Sequence, residues 1–333
     1  MVQLITISIL MGTLSSVGLG GCVLADLARS SVLAFDVGGS HVAAAVCHED
    51  GFRLGPVASA PHPAEQSADA FIRMLHELGV KAGVCLDGRM GAILAVPGPF
   101  DLNAGMSLMR HKLPYLYGLD LRQALAEQFG MRPEQVRFLN DADAYLLGEI
   151  GAGAARGFGR AIGLTLGTGI GSAFAVDGSL VTEGPGVPQG GEIWNLPYRG
   201  AIVEDFVSSR AIVCNYERLT RTKREVVDLA SAVEGDPAAK EAFDEFGHHL
   251  GEVIRRLLAE FHADVIVLGG GIARSANLFL PAVRAEMGES PTELRVSELK
   301  DRAALVGCGV AALRAETGAS EFAESKSVHS GAD

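Results

Sequence analysis

Positive charge is scarce in this chain. Its 333 residues carry 28 Lys and Arg against 40 Asp and Glu, a formal net charge of -12. A surface so short of cations does not grip a phosphate backbone over a broad area, which disfavours nucleic-acid binding. Cysteine is also sparse: five, at positions 22, 47, 85, 214 and 308, with no C-x-x-C pair. Neither a disulfide framework nor a cysteine-rich zinc knuckle is indicated, which leaves buried, reduced thiols as the expectation. Aromatic residues make up only 6% of the chain, and there is one tryptophan. Several catalytic signatures are missing: the P-loop run G-x-x-x-x-G-K-[ST], H-E-x-x-H, G-x-S-x-G and the protein-kinase set. Long apolar runs are missing too. Leu4 to Leu14 is short and glycine-broken for a membrane span. Leu19-Gly20-Gly21-Cys22 has the form of a lipoprotein cleavage site, but no charge precedes Asp26 and a basic n-region is absent. Residues 1–31 are therefore expected to be an extension outside the fold, with an exported lipoprotein as the minor alternative.

Glycine, by contrast, is abundant at 42 residues, and 48% of the chain is hydrophobic against 20% charged. This is the composition of a globular protein with a sizeable core. Ser31 to Cys47 reads as strand, glycine turn, strand. Ala64 to Leu78 and Leu119 to Phe129 read as amphipathic helices. Gly91 to Val96 is a buried strand stopped by Pro97-Gly98-Pro99. Val136 to Leu139 is a short strand that runs into Asn140-Asp141-Ala142-Asp143 and a helix through Ile150, with Asp or Asn as its cap. The pattern then restarts: Ala161 to Leu166, the turn Gly167-Thr168-Gly169-Ile170-Gly171, and Ser172 to Val176. Helices are predicted over Val203 to Tyr216, Lys223 to Ala232 and Pro237 to Phe261. A buried strand from Asp264 to Leu268 runs into Gly269-Gly270-Gly271 and a further helix. Ala303 to Ala315 is a last apolar helix, and 317–333 a polar, frayed tail. Alternating strands and helices give an α/β class, and the hairpins make each sheet mixed.

Three glycine turns follow apolar strands, at 36–40, 167–171 and 269–271. Backbone N–H groups exposed at such turns form anion nests. Two of the turns lie in matching hairpins, which fits a nucleotide held between two lobes of related construction. The central turn is G-x-G-x-G between strands, not G-x-G-x-x-G before a helix, so dinucleotide binding is disfavoured.

These pieces, with Gly191-Glu192-Ile193, Glu204 and Ala304-Leu305-Val306-Gly307, occur in an order that resembles the ROK family of sugar kinases, in the actin/Hsp70/hexokinase superfamily. The resemblance covers about 32 to 315. It implies a two-lobed actin-like ATPase fold: 32–139 plus 303–316 as a smaller lobe with its closing helix, and 140–302 as a larger one. It implies glucokinase-like phosphorylation of a hexose hydroxyl, the 6-hydroxyl expected, by ATP and Mg²⁺. Asp36 would hold Mg²⁺ through water. Gly38, Gly39 and Ser40 would lie near the phosphates, Gly167, Thr168 and Gly169 would cradle them from the other lobe, and Gly269, Gly270 and Gly271 would admit the adenosine. Asp141, ionised at a helix N-terminus, would be the general base. Asn140, Gly98 and His111 would lie on the sugar side.

The chain departs from the family pattern after Gly191-Glu192-Ile193. The family's zinc-binding histidine becomes Asn195, and its C-x-C-G-x-x-G-C stretch is absent, so no zinc is expected. Glu192, Asn195 and Glu204 remain as a sugar cage, with Asn195 offering a donor and an acceptor to a hydroxyl. The expected partners are a sugar and ATP, with a second copy of the chain as a homodimer, and neither nucleic acid nor membrane. Dependence on ATP points to the cytoplasm. The competing readings are a sugar-responsive regulator of the same family and a catalytically silent sugar-binding protein.

Overall fold

A computed structural model describes residues 31–48, 52–84, 90–110 and 112–316. The expected extension, the expected tail and His111 therefore fall outside the described residues, apart from Ser31 at the extension's end.

The first half builds a sheet from β1 (Val32–Val37), β2 (His41–Cys47), β3 (Ala58–Pro61), β4 (Gly91–Val96) and β7 (Val136–Asn140), in the order β3-β2-β1-β4-β7. A small hairpin, β5 (Phe100–Asp101) and β6 (Met106–Ser107), follows β4. The second half builds a sheet from β8 (Arg160–Leu166), β9 (Ile170–Val176), β10 (Ser179–Val181), β13 (Val265–Gly269) and β14 (Glu293–Val296), in the order β10-β9-β8-β13-β14. A two-stranded ribbon, β11 (Pro197–Tyr198) with β12 (Ala201–Ile202), lies between β10 and β13 in the chain. Pairing directions repeat as well. β1 is antiparallel to β2 and parallel to β4, as β8 is antiparallel to β9 and parallel to β13. The mixed sheets and duplicated hairpins inferred from the sequence are thus both present.

The helices are α1 (Ala68–Lys81), α2 (Leu121–Phe129), α3 (Asp141–Ala152), α4 (Val203–Phe206), α5 (Ser209–Thr220), α6 (Val226–Ala232), α7 (Pro237–Phe261), α8 (Leu280–Met287) and α9 (Ala303–Glu316). Their starts follow capping chemistry. Ser67 accepts the Ala70 amide, so α1 begins at Ala68, four residues after the predicted start at Ala64. Asp120 caps α2 and Asp236 caps α7, where Pro237 takes the first helical position. The helix predicted across 203–216 is instead broken, because Ser208 turns its hydroxyl onto the Ala211 amide and starts α5 afresh. After Gly271 the predicted helix is a kinked 3₁₀ turn over Ile272–Leu278 before α8. Cys47 and Cys308 are buried as expected, but Cys214 is exposed.

α3 and α9 form the seam between the two halves. α9 packs its Leu305, Val306 and Cys308 with Ala34, Ala45 and Ile93 of the first sheet. α3 turns Ala144 and Leu147 to that cluster, and Ala142, Tyr145 and Leu146 to Ala161, Ala173 and Val267 of the second sheet. The two helices cross with backbones touching. A Cβ on Gly307 would come within 1.7 Å of the Ala144 carbonyl oxygen, and one on Gly148 within 2.0 Å of the Ala303 carbonyl oxygen. Backbone on both sides cannot give way, so Gly307→Ala is expected to cost about 3 kcal/mol of stability. Thermal denaturation would show this as a midpoint lowered by several degrees; an unchanged midpoint would mean the crossing is looser than described.

Candidate active site

The carboxyl ends of the parallel strands carry the motifs, as expected for open α/β sheets. β1 ends in Asp36-Val37 and the turn Gly38-Gly39-Ser40. β4 runs into Pro97-Gly98-Pro99, and β7 ends at Asn140 beside Val96. In the second sheet β8 runs into Gly167-Thr168-Gly169, and β13 into Gly269-Gly270-Gly271.

Asn140 is the N-cap of α3: its side-chain oxygen accepts the amides of Ala142 and Asp143. That leaves Asp141 as the first residue of the helix, half-buried, with one carboxylate oxygen 2.9 Å from the Ala142 amide. A carboxylate there faces the positive end of the helix dipole. Asp36 is half-buried at the end of β1. Burial, then the negative charges of Asp141 and Asp301, push its carboxyl up to about 7. Asp301 precedes α9 and is paired with Arg274 of the 3₁₀ turn after Gly271, both of its oxygens 2.6 Å from one guanidinium nitrogen. Asp36 on β1 thus feels the carboxylates of α3 and of the entry to α9.

The glycines divide by task. Gly39, Gly98, Gly167 and Gly271 have nothing within 4 Å of where a Cβ would stand, so each motif offers one open face to a ligand. The others are packed. Gly269 makes room for the Tyr145 ring, and Gly270, at φ +82, lies on the backbone of Leu166. Gly38 and Gly167 donate their amides within their own turns, to the carbonyls of His41 and Gly169. Those two N–H groups hold the turns in shape.

Glu192 and Glu204 do not stand side by side as bare cage walls. Glu192 accepts the indole N–H of Trp194 at 3.0 Å. Glu204 accepts the amide of Ile170 at 3.2 Å, and its carboxylate fills the space beside Gly169. It serves the second glycine turn, and the backbone of Trp194 joins the two acids by accepting the Glu204 amide at 3.0 Å. Asn195 is exposed next to them.

Several supporting residues carried no motif. His62 contacts the Gly38 carbonyl through Nε2 at 2.8 Å and the Tyr115 hydroxyl through Nδ1 at 3.3 Å, and its amide donates to the Ser40 carbonyl. Donation from Nε2 makes Nδ1 the acceptor of the tyrosine proton. Ser209 donates both its amide and its hydroxyl to the Gly167 carbonyl at 2.8 Å, which the break between α4 and α5 permits. Glu149 of α3 is fully buried and accepts from the Ala154 amide, the Ser297 hydroxyl and the Leu299 amide, tying α3 to the segment that leads to Asp301. A lone acid in the apolar run Ala144 to Ile150 was the available signal for it.

Asp36 fits a role toward Mg²⁺: an acid whose charge is made costly first by burial and then by two neighbouring anions is what a divalent cation would relieve. Among the described residues no group of three or more His, Cys, Asp or Glu could hold a metal alone.

The ROK family model matches residues 32–314. The glucokinase of Thermotoga maritima is 27% identical over 289 residues, covering 78% of this chain and 87% of that protein. The crystal structure of the ROK hexokinase from Thermus thermophilus superposes with a TM-score of 0.69 at 27% identity, over 87% of this chain and 100% of that one. A ROK family glucokinase from Streptomyces griseus, in complex with glucose and AMPPNP, shares the fold at a TM-score of 0.70 and 22% identity, over 84% of this chain and 98% of that one.

Proposed function

The chain belongs to the ROK family, and on that premise we propose that this sugar kinase transfers the γ-phosphoryl group of ATP to a hexose hydroxyl, the 6-hydroxyl by the glucokinase resemblance, with Asp141 as general base. The observation that carries the reading is the placement of Asp36 at the carboxyl end of β1 and of Asp141 just past the carboxyl end of β7, on the same edge of one sheet with β4 between them, close enough for the charge of Asp141 to raise the proton affinity of Asp36. A sugar hydroxyl that meets Asp141 would give up its proton to the carboxylate as its oxygen attacks phosphorus in line with the leaving β-phosphate oxygen. The turns at 38–40 and 167–169 would orient the phosphates, and Gly271 would let the nucleoside lie against backbone. Bound Mg²⁺ supplies charge neutralisation at the phosphates, and Asp36 would hold it through water. The lobes, 32–139 with 303–316 and 140–302, would close on the sugar across the α3–α9 seam, which excludes water as a competing acceptor.

The decisive test is ATP consumption by the purified full chain with Mg²⁺ across hexoses and N-acetylhexosamines. Sugar-dependent ADP release is expected; sugar-stimulated release with none of the panel would remove the reading. The His62 contacts make a second prediction. His62→Ala should raise KM for ATP about five- to tenfold, since a hydrogen bond that positions the turn is worth ~1 kcal/mol. KM for the sugar should hardly move, and His62→Gln, which keeps a donor, should recover part of the loss. Equal effects on both substrates in steady-state kinetics would mean that His62 supports the fold generally.

A further inference from the structure

We infer that Trp194 is a sugar-contacting residue of this site, its indole forming a wall against which the apolar C–H face of a pyranose ring rests. The inference builds on the sugar-kinase reading and names what this chain adds to it. Trp194 is the one tryptophan of the sequence, and it is 40% exposed. A ligand that lies on this ring would remove its apolar area from water, which favours binding there.

Its surroundings are fixed. Just before it, Ile193 is fully buried and donates its amide to the Ser172 hydroxyl at 3.1 Å, and that hydroxyl donates to the Gly191 carbonyl at 2.7 Å. The Trp194 carbonyl accepts the Glu204 amide at 3.0 Å. The backbone at Ile193 and at Trp194 itself is thus tied to β9 and α4, while the ring is steered from its edge by the 3.0 Å bond to Glu192. The ring face is therefore preorganised, which lowers the ordering cost of a ligand that stacks on it.

The pairing suits a pyranose. Such a ring has a face of C–H bonds and a rim of hydroxyls. The indole face takes the first, and the carboxylate beside it takes the second. With Glu192 Oε2 occupied by the indole, Oε1 is the oxygen offered to a sugar hydroxyl. The same residue joins that acid to the phosphate side, because Glu204, bonded to its carbonyl, holds the Ile170 amide of the second glycine turn.

A lone tryptophan makes the test direct. The full-length chain, without nucleotide, is titrated with hexoses and N-acetylhexosamines while its fluorescence and its binding heat are followed. A saturable fluorescence change is expected, with the same midpoint as the calorimetric one. Trp194→Ala should weaken sugar binding about tenfold, in keeping with the apolar area lost, with KM for ATP unchanged. Trp194→Phe, which keeps a ring, should stay within about threefold. Sugar that binds by calorimetry without moving the fluorescence, and with equal affinity in Trp194→Ala, would exclude Trp194 while the kinase reading stands. Absence of both binding and turnover with every sugar would overturn the kinase reading, and this inference with it.

Discussion

Replacing Asp141 with asparagine is expected to lower turnover by ~10² to 10⁴, with sugar affinity held within a few fold. The geometry lets this substitution probe the proposed proton-accepting role without disturbing the helix start. Asn140, not Asp141, is the side chain that caps α3. The bond from Asp141 to the Ala142 amide uses one oxygen, which the amide side chain of asparagine also has. The helix should therefore start unchanged, and the sugar hydroxyl should keep an acceptor to bind to. What disappears is the group able to take the proton as the oxygen attacks. Single-turnover phosphoryl transfer, measured beside calorimetric sugar binding, separates the two effects. Near-normal transfer in this variant would remove Asp141 from the role.

Much of this architecture can be read directly from residue order. Apolar strands that end in glycine, repeated in the same sequence of hairpin and parallel partner, announce the duplicated sheet. Pro237 to Phe261 is framed by its own cap and proline, and the helix occupies those residues. Of the edge strands, β7 was legible but β3, β10 and β14 were not, because each is only three or four residues long and almost wholly exposed or half-exposed, with little apolar pattern to mark it. The break at Ser208 was hidden because a serine reads equally as a helix residue and a cap. In the site, motifs gave the strand ends but not the division of labour. Which glycine faces a ligand depends on what stands opposite, such as Tyr145 against Gly269 or Glu204 against Gly169. His62 is 24 positions from Gly38 and 53 from Tyr115, and Glu149 is 148 from Ser297. Contacts of that range leave no local pattern to read.

Asp36→Asn is expected to stabilise the nucleotide-free protein at alkaline pH while it disables catalysis. Its carboxyl is raised from the ordinary 3.8 to about 7, first by burial and then by Asp141 and Asp301. An acid whose folded value lies above its unfolded one binds its proton more tightly in the folded chain. Folding therefore carries no penalty from Asp36 below about pH 4. The penalty grows as the pH rises and is complete above about pH 7. Asparagine carries no charge at any pH. At pH 8 the variant should be the more stable by ~1 to 3 kcal/mol, a range that discounts for the partial exposure of the side chain. The gap should close as the pH is lowered from 7 towards 4. With Mg²⁺ and ATP present the order should reverse, because the wild-type carboxylate gains a cation-bearing ligand that the amide holds poorly. Thermal denaturation of both proteins from pH 4 to 8, with and without Mg-ATP, reads all of this. A variant less stable than wild type at pH 8, or a difference that does not change with pH, would mean that Asp36 is not the strained acid of this site.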